Sequence, residues 1–88
     1  MTQLEMIITA LQNLGGTGNY SEIYTEYHKI SQSILTEGVK AGIRKTIEIF
    51  SSDSMNYQHR GDYFYSVYGV GKGIWGLRSM KNNSVDSV

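Results

Sequence analysis

Asp62-Tyr63-Phe64-Tyr65-Ser66-Val67, Tyr68-Gly69-Val70-Gly71-Lys72-Gly73 and Ile74-Trp75-Gly76-Leu77-Arg78 follow one another without a break. Two aromatic segments flank a linker that holds three of the chain's ten glycines and one lysine. Aromatic and β-branched residues suit a pleated surface, and glycine supplies the backbone freedom of a tight reversal. The stretch reads as a β-hairpin with a flexible, cationic tip. Alternation sets Tyr63, Tyr65 and Val67 against Phe64, Ser66 and Tyr68, and Trp75 and Leu77 against Ile74, Gly76 and Arg78. Phe64, Trp75 and Leu77 are the expected core side.

Three helical segments precede the hairpin. Thr2 with Glu5 has capping-box spacing, and Leu4, Ile7, Ile8, Leu11 and Leu14 follow the three-four rhythm of an amphipathic helix over about residues 3 to 14. Gly15-Gly16 stops it. Asn19 or Ser21 starts the second helix, and Asn19 with Glu22 repeats the capping-box spacing. Ile23, Tyr24, Tyr27 and Ile30 form its apolar face before the polar connection Ser31-Gln32-Ser33. The third helix runs from near Thr36 to about Phe50, with Val39, Ile43, Ile47 and Phe50 turned inward. Its opposite arc holds Gly38, Ala41, Arg44, Lys45 and Glu48. Gly38 and Gly42 are each unfavourable in a helix by roughly 1 kcal/mol against alanine. A ligand approaching the backbone closely explains them, and so does crowding by neighbouring helices. Ser51-Ser52-Asp53-Ser54 ends the helix, and residues 55 to 61 form a loop.

The 88 residues make one domain, placed at residues 1–79, with a disordered tail at 80–88 that has no periodicity. Without cysteine there are no disulfides and no cysteine-based zinc site, which suits a cytoplasmic protein. No apolar run is long enough for a membrane span, and no signal peptide is visible. Net charge is zero, against the basic surplus usual for nucleic-acid binding. The charge is unevenly placed, however. Residues 1 to 35 hold Lys29 against Glu5, Glu22 and Glu26, a balance of −2. Residues 38 to 81 hold seven cations (Lys40, Arg44, Lys45, Arg60, Lys72, Arg78 and Lys81) against Glu48, Asp53 and Asp62, a balance of +4.

Element order and charge together give the expected fold. It is an α+β winged helix-turn-helix, three helices followed by a two-stranded β-hairpin wing, a layout used mainly to bind DNA. The third helix is the candidate recognition helix, with Lys40, Arg44 and Lys45 as base or phosphate contacts. A solvated helix face is the plainer alternative, and Glu48 favours it. Ser51 and Ser52 have hydroxyls and amides suited to phosphate oxygens. The competing reading is a turn in which Asp53 caps backbone groups, and repulsion between Asp53 and phosphate favours it. Lys72 at the glycine tip and Arg60 in the loop add charge on the same side, although glycines at a hairpin tip need no ligand to explain them. Seven tyrosines belong to a small aromatic core or the sheet rim, with Tyr57 and Tyr68 as candidate surface contacts. His28 and His59 are solitary, so no metal site is expected. No nucleophilic triad or phosphate-binding loop can be drawn either, so neither cofactor nor catalysis is expected.

Gly42-Ile43-Arg44-Lys45-Thr46-Ile47, Ser51-Ser52-Asp53-Ser54, the aromatic strand from Asp62 and Gly73-Ile74-Trp75-Gly76-Leu77-Arg78 carry a resemblance. Together they resemble the winged helix-turn-helix module of bacterial restriction endonucleases, including HNH-type and modification-dependent ones. The similarity spans residues 1 to about 78. It implies a DNA-binding module, in some members reading a modified base, with Arg44, Ser51, Ser52 and Lys72 as contacts. The expected function is therefore non-catalytic binding of double-stranded DNA, linked to restriction or defence in a bacterium or a phage or other mobile element. Low charge and abundant tyrosine keep a second class open: a protein-binding adaptor or inhibitor of a nucleic-acid enzyme, as in phage anti-defence proteins. A homodimer on paired half-sites is a further arrangement.

Overall fold

The computed structural model describes residues 1–69 and 71–81. In chain order the elements are α1 (Gln3–Asn13), β1 (Thr17–Asn19), α2 (Tyr20–Ser31), α3 (Glu37–Ile49), β2 (Phe64–Ser66), β3 (Ile74–Leu77) and a 3₁₀ turn (Arg78–Met80). The described residues form an α+β fold of three helices and a three-stranded antiparallel sheet, ordered β1-β3-β2.

Local chemistry sets the helix ends. Thr2 and Asn19 each accept from the backbone amide three residues on, at 3.1 and 2.8 Å, and Glu5 and Glu22 reach back to close both capping boxes. α1 ends in a Schellman motif: the Gly16 amide bonds the Leu11 carbonyl and the Gly15 amide bonds that of Gln12. Gly15 takes φ of 87°, which is cheap only for glycine. Thr36 caps α3 through the Val39 amide.

The third strand corrects the expected two-stranded hairpin. β1 pairs with β3 in the register Thr17↔Gly76, Gly18↔Trp75 and Asn19↔Ile74, while β2 pairs with the other edge of β3, Phe64↔Leu77 and Ser66↔Trp75. Thr-Gly-Asn has no apolar alternation and two strand-averse residues, so nothing local announces a strand. Tertiary contact makes it. The Leu77 amide bonds the Gly16 carbonyl at 2.8 Å, drawing the turn after α1 onto the sheet.

The three helices, β2 and β3 contribute to one core: Ile7 and Leu11 from α1, Ile23 and Tyr27 from α2, Ile43 and Ile47 from α3, and Phe64, Trp75 and Leu77 from the two strands. Burying such a side chain stabilises by about 1.5–3 kcal/mol relative to exposure. The expected inward stripes of α1 and α3 hold, with Val39 and Phe50 packed at the margin; on α2 Ile23, Tyr24 and Tyr27 join the core or pack against it and Ile30 does not. Pairing in β2 stops at Ser66, sooner than Val67 and Tyr68 suggested, although the Val67 amide still bonds the Ile74 carbonyl. The reversal that follows uses positive φ at Gly69, Gly71 and Gly73. The expected disordered tail lies, from residue 82 onward, outside the described residues.

Candidate nucleic-acid interface

Tyr20 and Tyr24 stand one turn apart on α2, and their rings stack at 6.0 Å between centroids with 19° between planes. The Tyr20 hydroxyl accepts from the indole Nε1 of Trp75 on β3 at 2.9 Å. The Tyr24 hydroxyl accepts from Nη1 of Arg44 on α3 at 2.8 Å, and Lys40 Nζ lies 5.5 Å from the Tyr24 ring centroid. A continuous line of contacts therefore runs from β3, across α2, to α3. Burial raises the Tyr20 pKa; the Trp75 bond opposes it and nearby Glu48 adds to it. The hydrogen bond to Tyr24 pushes the Arg44 guanidinium pKa further up. Arg44 thus stays charged and aimed, with one of its five N–H groups committed.

Arg44 opens onto a cleft of about 270 Å³ between α3 and the hairpin tip. Its lining comes from Arg44 and Glu48 of α3, Gly71, Gly73 and Trp75 of the hairpin, Tyr20 of α2 and Ser54. Two expected contact regions, the basic helix and the glycine tip, therefore share one side of the molecule. Lys72 sits exposed between the two cleft glycines. Lys45 is exposed on α3, and Lys40 lies 3.6 Å from Glu37 in a surface pair of small energetic weight. Arg60 is exposed in the 55–61 loop, and no described contact ties it to the cleft.

Ser51 lies buried, out of reach of any ligand, and Ser52 is exposed with its hydroxyl engaged by neighbouring side chains. Ser51 is 0 % exposed, and its hydroxyl accepts from the Asp53 amide. The Ser52 hydroxyl donates to Asp62 Oδ2 at 2.6 Å and accepts from Arg78 Nη2 at 3.0 Å. Arg78 also bonds Asp62 Oδ1 at 2.8 Å and lies 3.2 Å from Asp53 Oδ1, while Asp53 Oδ2 accepts from the Ser66 amide. The Ser-Ser-Asp-Ser turn is a knot fastening the end of α3 to the hairpin, as the turn-chemistry alternative has it. Arg78 is held inside that knot.

Of the tyrosines singled out, Tyr68 is 70 % exposed, whereas Tyr57 is half-buried with its ring 4.5 Å from that of His59. Composition did not single out Tyr20 or Tyr24; their i,i+4 spacing was the available signal. Gly42 answers to crowding, since a β-carbon there would come 3.1 Å from the side-chain Nε2 of Gln3 on α1. Gly38 is open, with only Thr36 Oγ1 near, at 3.7 Å.

Among the described residues no group of three or more His, Cys, Asp or Glu side chains is placed to hold a metal ion, and no helix is long and apolar enough to cross a membrane. What the site offers is directed hydrogen bonding: the Arg44 guanidinium held by Tyr24, the Glu48 carboxylate held by the Asn56 side-chain amide, hydroxyls, and glycine backbone at Gly71 and Gly73. No family model, curated protein or solved structure matches this chain.

Proposed function

We propose that this chain is a non-catalytic, cytoplasmic winged-helix protein that binds double-stranded DNA. In this reading α3 lies in the major groove and the β2–β3 tip rests on the sugar-phosphate backbone. The observation that carries it is the shared cleft of Arg44 with Gly71 and Gly73. A recognition helix and a wing must address the same duplex, and here they border the same opening. Gly38, open on the solvent side of α3, permits close approach of that helix, and the exposed Lys45 on α3 and Lys72 at the tip add positive charge. The resemblance to restriction-associated modules points the same way and suggests a role in restriction or defence. A mobility-shift titration of wild type, Arg44→Ala and Lys72→Ala tests the reading. Both variants should bind duplex more weakly, and unchanged binding in both would contradict it.

A protein partner is the second reading, and one observation favours it. Beyond Tyr24, a groove of about 450 Å³ runs between α2 and the start of α3, where Ile34 is 82 % exposed beside Leu35 and His28. An adaptor or inhibitor using that surface would bind with little sensitivity to salt.

A further inference from the structure

Glu48 is out of place on a purely phosphate-binding surface. It stands one turn after Arg44 on α3, and both line the same cleft. Among the described residues the two form no ion pair with each other. Each is held by a neutral partner instead: Arg44 Nη1 by the Tyr24 hydroxyl at 2.8 Å, and Glu48 Oε1 by the Asn56 side-chain amide at 2.8 Å. Neither charge is cancelled in the free protein, and both side chains are oriented before any ligand arrives.

A carboxylate beside phosphate is repelled, but beside a base edge it accepts from an exocyclic amino group. The major groove presents such donors on cytosine N4 and adenine N6, and it presents the paired acceptors O6 and N7 on guanine, which suit an arginine fork. Arg44 retains four N–H donors after the Tyr24 bond, enough for a bidentate contact. Residues one turn apart are separated by about 6 Å along the helix, the reach of one base pair or of adjacent steps. Arginine on guanine with glutamate on the paired or neighbouring cytosine satisfies both groups at once. An A·T pair at the same place turns thymine O4, an acceptor, toward the carboxylate and replaces guanine O6 with the adenine N6 donor while keeping N7, so it is disfavoured by repulsion as well as by a lost bond.

We infer that Arg44 and Glu48 form a specificity pair selecting G·C-containing duplex, with Arg44 taking guanine and Glu48 taking cytosine. This rests on the DNA-binding reading above and adds which sequences are held.

The test is selection from a pool of duplexes with randomised sequence, at low salt, using wild type and Glu48→Gln. Glutamine keeps the length and the acceptor that Asn56 uses, and circular dichroism checks that the fold is retained. Wild type should enrich a position occupied by G·C. Glu48→Gln should lower the preference for cytosine there by about tenfold or more while binding the unselected pool at least as tightly, because a negative charge has gone. Enrichment of G·C that Glu48→Gln leaves intact would overturn the role of Glu48. Equal retention of every duplex by wild type would overturn the pair but leave DNA binding standing. Retention of no duplex at low salt would overturn both.

Discussion

The indole Nε1 of Trp75 donates a 2.9 Å hydrogen bond to the hydroxyl of Tyr20, 55 residues earlier in the chain, and this bond ties β3 to α2. Tyr20→Phe keeps the ring and its stacking on Tyr24 but leaves the largely buried indole without its acceptor. The expected loss is about 1–2 kcal/mol of unfolding free energy. Urea denaturation checks it, and an unshifted midpoint would show that the bond contributes nothing.

Gly76 and Gly38 should respond oppositely to alanine. A β-carbon at Gly76 would lie 2.6 Å from Cε1 of Tyr65, its register partner on β2. Gly76→Ala should therefore destabilise by about 1–3 kcal/mol as the ring is displaced. At Gly38 the space is open and the backbone helical, so Gly38→Ala should stabilise, by up to about 1 kcal/mol. If α3 enters a groove, the same alanine should weaken DNA binding despite the gain in stability. Thermal melts and binding titrations on the two proteins separate these effects.

The Asp62 knot gives stability an acid limb. Burial pulls this carboxyl up, but the hydroxyl and amide of Ser52 and the guanidinium of Arg78 pull it down further, leaving its pKa below the ordinary 3.8. A carboxylate with a depressed folded pKa adds stability above its unfolded pKa, and loses that increment as pH falls through the folded value. The increment is therefore intact at neutral pH and disappears below 3.8. Asp62→Asn should lose it at neutral pH and show a flatter decline in acid. Curves of stability against pH that run parallel for the two proteins would contradict this role.

Arg44→Ala should weaken duplex binding by about 1–3 kcal/mol. Tyr24→Phe retains the charge but frees the guanidinium, so it should cost less than Arg44→Ala. Fluorescence anisotropy with one labelled duplex compares the three proteins directly, and equal affinities would remove Arg44 from the interface.

The legible parts of this molecule were those fixed by local chemistry. Thr2 with Glu5 and Asn19 with Glu22 located two helix starts, Gly15-Gly16 a helix end, and alternation around Phe64, Trp75 and Leu77 the buried side of the sheet. β1 was hidden because Thr17, Gly18 and Asn19 become a strand only when the edge of β3 is offered to them. The candidate site was legible in its charges and not in its wiring. Arg44 and the glycine tip could be named from sequence, but the Trp75–Tyr20–Tyr24–Arg44 line joins residues from three elements. The engagement of Ser51 and Ser52 was hidden for a related reason: a polar turn looks alike whether its hydroxyls face solvent or neighbouring protein groups, and Asp62 and Arg78, which hold Ser52, lie far along the chain.

The dependence of duplex affinity on salt bears most directly on the claim that α3 and the tip hold DNA. With about three phosphates neutralised by residues such as Lys45 and Lys72, the logarithm of the association constant should fall with the logarithm of salt concentration at a slope near −3. A flat dependence, or no binding at low salt, would contradict it.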